Sequence, residues 1–188
     1  YDLQRFFQSM TEFNIKCPIG SIYALSFKKD LLSGSTTKTQ NLVDFVCYCL
    51  NHNHYHFLVK QLVAGGVTEF MHKLGSGYTR YFNERYKLSG SLFQGRFKAI
   101  HVDSNGYLLH LSAYINNNNK VHKLSSSTTK LSKSSWDEYA RPAMSNMFCK
   151  RSIILGQFKK PSEYKEFAED ALSTMRNQKD VERSIEFL

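Results

Sequence analysis

Leu42-Val43-Asp44-Phe45-Val46-Cys47-Tyr48-Cys49-Leu50, then Asn51-His52-Asn53, then His54-Tyr55-His56-Phe57-Leu58-Val59-Lys60-Gln61, is the stretch that decides the fold. The first run is rich in Val, Phe and Tyr and reads as a buried strand. The polar triplet is a turn, and the second run is another strand, so the pair predicts an antiparallel hairpin. Residues i and i+2 of a strand project from one face, so His54 and His56 present two imidazoles side by side. Such a pair can begin a divalent-metal site. With 7 histidines in 188 residues, an i,i+2 pair arises by chance in about one such sequence in four. An exposed polar strand face accounts for the spacing equally.

Outward from the hairpin, Leu3, Phe6, Phe7, Met10 and Phe13 recur at helical steps, which predicts a helix over 2–13. Cys17 to Phe27 reads as a short strand or a packed turn, and Lys28 to Gln40 as a polar loop. After Gly65-Gly66 a helix is expected from about Val67 to Lys87. Gly75-Ser76-Gly77 weakens its middle and predicts a bend. Gly90 to Val102 alternates as a strand or hairpin. Asp103 or Ser104 caps a helix running to about Asn117. Leu124 to Ser135 is Ser/Thr/Lys-rich and reads as a linker or surface loop. A last helix starts at Pro161, with Ser162 or Glu163 as its cap. The pattern is α+β, with a core over 1–122, a linker over 123–135 and a C-terminal helical extension over 136–188.

Composition narrows the function. Hydrophobic residues make up 41% and aromatics 14% of the 188, which excludes a disordered chain. The net charge of +9 points toward nucleic acid or an anionic membrane surface. No apolar run reaches the roughly 18 residues of a spanning helix. Cys17, Cys47, Cys49 and Cys149 lack C-x-x-C spacing and read as buried thiols of a reducing compartment.

Two further segments carry chemistry. In Tyr107 to Asn119, Y-L-L-H-L-S-A-Y-I-N-N-N-N, the core stripe is Leu108, Leu111 and Ile115. Tyr114 and Asn118 then fall one turn apart on the same face. A phenol and an amide oxygen there can supply a nucleophile and a metal ligand; a surface tyrosine and an asparagine-rich helix end are the plainer alternative. Between hairpin and helix, aromatic and basic residues interleave from Tyr78 to Lys98. Cations neutralise phosphates and rings stack on unpaired bases, which suits single-stranded or hairpin nucleic acid, so Arg80, Arg85, Arg96 and Lys98 are candidate phosphate contacts. Most of the rings can equally be core.

Taken together, L-V-D-F-V-C-Y-C-L-N-H-N-H-Y-H-F-L-V-K, Y-T-R-Y-F-N-E-R-Y-K-L-S-G-S-L-F-Q-G-R-F-K-A-I and Y-L-L-H-L-S-A-Y-I-N-N-N-N resemble the REP-associated branch of the HUH single-tyrosine transposases. A weaker likeness continues at Ile154 to Asp170. The resemblance implies a ferredoxin-like antiparallel sheet with packed helices, the HUH endonuclease fold, with the histidine pair on a central strand. It implies that His54, His56 and Asn118 hold Mg²⁺ or Mn²⁺, and that Tyr114 is the nucleophile. The expected activity is metal-dependent nicking and rejoining of single-stranded DNA beside REP-like hairpins, through a 5′-phosphotyrosine link. A cytoplasmic, nucleoid-associated bacterial protein is implied, a monomer rather than a homodimer, with no membrane partner.

This chain departs from the branch in three places. Asn51 and His52 stand where Met-Pro is usual, and Asn119 stands where Pro is usual. The family's opening strand and Asn-Arg-Gly-type stretch find no match, so the core is expected to be truncated or to lack that part. The competing readings are a non-catalytic hairpin-binding protein and a rolling-circle or relaxase-type nickase. A zinc hydrolase would need H-E-x-x-H spacing, which the sequence lacks.

Overall fold

The computed structural model describes residues 2–16, 40–121, 132–141 and 147–186. The elements are helix α1 (Asp2–Glu12), strands β1 (Val43–Leu50) and β2 (Tyr55–Gln61), helices α2 (Gly66–Tyr86) and α3 (Asn105–Val121), strand β3 (Lys133–Ser134), and helices α4 (Trp136–Ala140), α5 (Ser152–Leu155) and α6 (Pro161–Glu186). The chain is α+β, an HUH-like antiparallel sheet with packed helices plus C-terminal helices. Among the described residues the sheet order is β2-β1-β3, so β1, not the histidine strand, lies in the middle. The segment 17–27, nearly all of the loop 28–40 and most of the expected linker 123–135 lie outside the described residues.

The described residues group into two compact units, Tyr1–Asp44 with Gln61–Ile100, and Phe45–Lys60 with His101–Leu188. In the first unit α1 and α2 meet through their apolar stripes. Phe6, Met10 and Phe13 are buried from one side, Phe70, Leu74 and Tyr78 from the other. The Phe6 ring stands edge-on to Tyr78 at 4.8 Å. The Asn14 amide then acts as a strand segment would. It donates to the carbonyl of Val43 at 2.8 Å and accepts from the Val43 N–H at 2.9 Å.

The expected bend at Gly75–Gly77 gives way to one continuous helix of 21 residues. The Phe13 ring lies against Gly77, where a Cβ would come within 2.3 Å of it. That glycine therefore serves close packing and not a hinge. No strand forms over Gly90 to Val102, which is irregular and mostly exposed. Gly90 and Gly95 sit at φ of 92° and 87°, a left-handed backbone that interrupts an extended run.

In the second unit, Val46, Cys47, Cys49 and Leu58 of the hairpin pack with Ala113 and Ile115 of α3 and with Tyr139, Tyr164 and Ala168 of the C-terminal helices. Cys47, Cys49 and Cys149 are buried free thiols. β3 adds to β1 through Cys49 opposite Ser134 and Leu50 opposite Lys133. Helix α6 begins as its sequence suggests, with Pro161 in the first turn and the Glu163 carboxylate accepting from the Lys159 N–H at 2.9 Å.

Helix α3 starts over Ser104, whose Oγ accepts from the Tyr107 N–H at 3.4 Å. It continues past Asn117, its expected end, to Val121. The reason is that its asparagines are core residues and not a cap, since Asn116, Asn117 and Asn118 are all fully buried. Asn116 donates to the Tyr164 hydroxyl at 2.8 Å and accepts from Ser135 Oγ at 2.6 Å. Asn117 donates to the carbonyl of Ala113 at 3.2 Å and accepts from Lys120 Nζ at 3.1 Å. Buried amides persist when partnered in this way.

Candidate active site

The site lies wholly within the second unit. The chain turns at Asn51–His54, closed by the Asn51 N–H donating to the His54 carbonyl at 2.9 Å. His54 is the last residue before β2 and His56 the second within it. Alternation puts both rings on one face, with centroids 5.1 Å apart. On α3, Tyr114 is half-buried, and its ring stands edge-on to His56 at 5.7 Å. One turn later, Asn118 Oδ1 lies 3.4 Å from His54 Nε2. The structure thus brings together the four residues expected at the centre, His54, His56, Tyr114 and Asn118.

Neighbouring amides set the protonation of His54. Its Nδ1 is 2.7 Å from Asn53 Oδ1, an acceptor, so Nδ1 carries the proton. Nε2 is then left with a lone pair, which accepts from Asn51 Nδ2 at 2.9 Å. An imidazole held in this tautomer is the form that ligates metal. Asn51 Nδ2 also donates to Asn118 Oδ1 at 2.8 Å. Burial pushes the Cys49 thiol up to about 11, so it stays protonated at neutral pH. It donates from Sγ to Asn51 Oδ1 at 3.7 Å.

The Asn51 contacts were not foreseen from the sequence, although its place in the turn before the histidine pair was visible. His52 is exposed, and no site role falls to it.

Arg80, Arg85, Arg96 and Lys98 belong to the first unit, and all four are exposed. Arg85 already has local partners. It lies 3.6 Å from the Asp2 carboxylate, donates to the Tyr81 hydroxyl at 3.1 Å and covers the Tyr86 ring. Of the interleaved rings, Tyr78 packs with Phe6 in the core and Phe93 is half-buried beside them, whereas Tyr86 and Phe97 are exposed. Among the described residues no helix is long and apolar enough to cross a membrane.

An antiparallel hairpin carrying two histidines is thus faced by a helix carrying a tyrosine and an amide one turn apart. Residues 31–118 match the family model described as Transposase IS200 like. Over that segment, 88 of the 188 residues, the chain is similar to the IS200-like transposases. The matched segment includes all four of these residues and ends on Asn118. Neither the comparison with curated proteins nor that with solved structures returns a match.

Proposed function

We propose that the chain is a metal-dependent transposase and endonuclease for single-stranded DNA, nicking and rejoining it beside hairpins through a 5′-phosphotyrosine link at Tyr114. One observation carries the reading. His54 Nε2 and Asn118 Oδ1, 64 positions apart in sequence, meet at 3.4 Å. The rings of His56 and Tyr114 follow at 5.1 and 5.7 Å.

His54, His56 and Asn118 would hold a divalent cation, Mn²⁺ or Mg²⁺. Among the described residues no three His, Cys, Asp or Glu side chains form a metal-holding group, so the Asn118 oxygen is the needed third ligand. Asn118 also fits by orientation. Its oxygen faces His54, while its Nδ2 is buried without a hydrogen-bond partner among the described residues. Such an orphan costs about 1–3 kcal/mol, which a ligand on the oxygen would offset. Two imidazoles suit Mn²⁺ better than Mg²⁺. When bound, such an ion supplies Lewis-acid polarisation of a non-bridging phosphate oxygen.

The chain's own residues do the rest. Helix α3 holds Tyr114 in place beside the imidazoles, so attack is effectively intramolecular once DNA is bound. The Tyr114 oxygen bonds to phosphorus as the bond from phosphorus to the 3′ oxygen breaks. The phenol proton passes to water, and the leaving 3′ oxygen takes one up. The phosphate ester on Tyr114 keeps the bond energy, so attack by a second 3′-hydroxyl reseals the strand without ATP. Arg80, Arg96 and Lys98 are read as phosphate contacts, and the exposed Phe97 ring as a platform for unpaired bases.

The test is denaturing gel electrophoresis after incubation with labelled single-stranded hairpin DNA and Mn²⁺. An SDS-resistant shifted band is expected, forming faster with Mn²⁺ than with Mg²⁺ at saturating metal. A shift on native gels alone would make the chain a non-catalytic hairpin binder. Equal rates with the two metals would count against the Mn²⁺ preference.

A further inference from the structure

We propose that Asn51 is a positioning residue of this cation site, fixing which end of the Asn118 amide faces the imidazoles; the inference rests on the functional reading above. Asn51 is 9% exposed. Its Nδ2 donates to Asn118 Oδ1 at 2.8 Å and to His54 Nε2 at 2.9 Å. The Cys49 thiol takes the opposite end of the amide, at Oδ1, so the nitrogen is the end turned to the site. The backbone bond from Asn51 to the His54 carbonyl fixes the turn that presents it.

Asn118 has no such anchor of its own, because its Nδ2 is buried and unpartnered among the described residues. Left alone, the amide gains by turning over, so that Nδ2 donates to the lone pair of His54 Nε2. That rotamer offers a donor where a cation needs an oxygen. The Asn51 N–H makes it unfavourable, since two amino groups would then face each other. The Asn118 oxygen has two lone pairs, so it can keep Asn51 and still ligate; His54 Nε2 has one, so a cation there replaces only that hydrogen bond of Asn51. The usual Met at this position has no N–H to give, so the device belongs to this chain's departure from the branch.

The experiment titrates the full chain with MnCl₂ alone and follows free Mn²⁺ by electron paramagnetic resonance. Asn51→Leu and Asn51→Ala are each expected to weaken binding about tenfold, as loss of a group supporting a metal ligand does. In an Asn118→Ala background Asn51→Leu should cost nothing further, because its effect passes through that oxygen. Wild-type affinity in both Asn51 variants overturns the proposal. So does an equal loss with and without Asn118, which marks a merely structural role. If Asn51→Leu loses its near-UV circular dichroism, Asn51→Ala decides, in both backgrounds. His56→Ala separates the two levels. Mn²⁺ binding that ignores His56→Ala overturns the site itself and the inference with it; binding that needs His56 but ignores Asn51 overturns only the inference.

Discussion

Helices α2 and α3 bury opposite kinds of side chain. Toward α1, α2 presents Phe70, Leu74 and Tyr78, while Arg80 and Arg85 are exposed. In α3, Asn116, Asn117 and Asn118 are fully buried, and among its residues with described burial only Ala113 and Ile115 are comparably buried apolar ones. The first helix is held by area removed from water, which tolerates many sequences of the right shape. The second is held by hydrogen bonds in which each amide has a particular partner, and so it fixes geometry to a fraction of an ångström. The proposed reactive groups sit with the second kind, where Tyr114 and Asn118 meet His56, His54 and Asn51 of the hairpin.

Substitutions can break this contrast. The largest effect is expected from Tyr114→Phe, which removes the proposed nucleophile and keeps the ring. It should abolish the covalent DNA adduct while native-gel binding of the same hairpin survives. Next is His56→Ala, expected to slow cleavage by about a hundredfold or more, with DNA affinity changed far less. Comparison of single-turnover rates with filter-binding constants checks this.

Two stability effects sharpen the comparison between the helices. Asn116→Leu removes one partner each from the Tyr164 and Ser135 hydroxyls, which keep Ser112 Oγ and the Tyr48 backbone. It should cost about 2 kcal/mol in urea unfolding, although Leu is the more apolar residue. Gly77→Ala forces a methyl group into the Phe13 ring and should cost about 1–2 kcal/mol. If Asn116→Leu proved neutral, the polar network would be ornamental, and α3 would be an ordinary apolar helix. The smallest effect is expected from Arg96→Ala with Lys98→Ala. Single-stranded DNA affinity should fall, and its dependence on log salt should flatten by about 0.7 for each phosphate no longer neutralised.

The same contrast explains what the sequence made legible. Alternation and helical spacing placed the hairpin, α1, α2 and the start of α6 close to their observed bounds, because apolar burial leaves a period in the chain. They also paired His54 with His56 and Tyr114 with Asn118, since i,i+2 and i,i+4 neighbours are a local matter. The run Asn116–Asn119 misled, because asparagine is ordinarily a cap residue. Nothing local says that Tyr164 and Ser135 will arrive from the C-terminal segment to satisfy Asn116 inside a core. Asn51 escaped notice for a related reason. Its partner Asn118 lies 67 positions away, and a polar residue in a turn normally faces water. Gly77 gave the opposite error, a packing glycine mistaken for a hinge, because the Phe13 ring that needs the space lies on another segment of the chain.

The central claim is that the phenol of Tyr114 becomes joined to DNA, and mass spectrometry of the trapped complex tests it most directly. After incubation with a hairpin substrate and Mn²⁺, the protein is digested with nuclease and protease and the peptides are sequenced. A phosphate or nucleotide remnant on the peptide containing Tyr114, located on that residue, is the predicted result. The same remnant on any other tyrosine, or an adduct that persists in Tyr114→Phe, would contradict it.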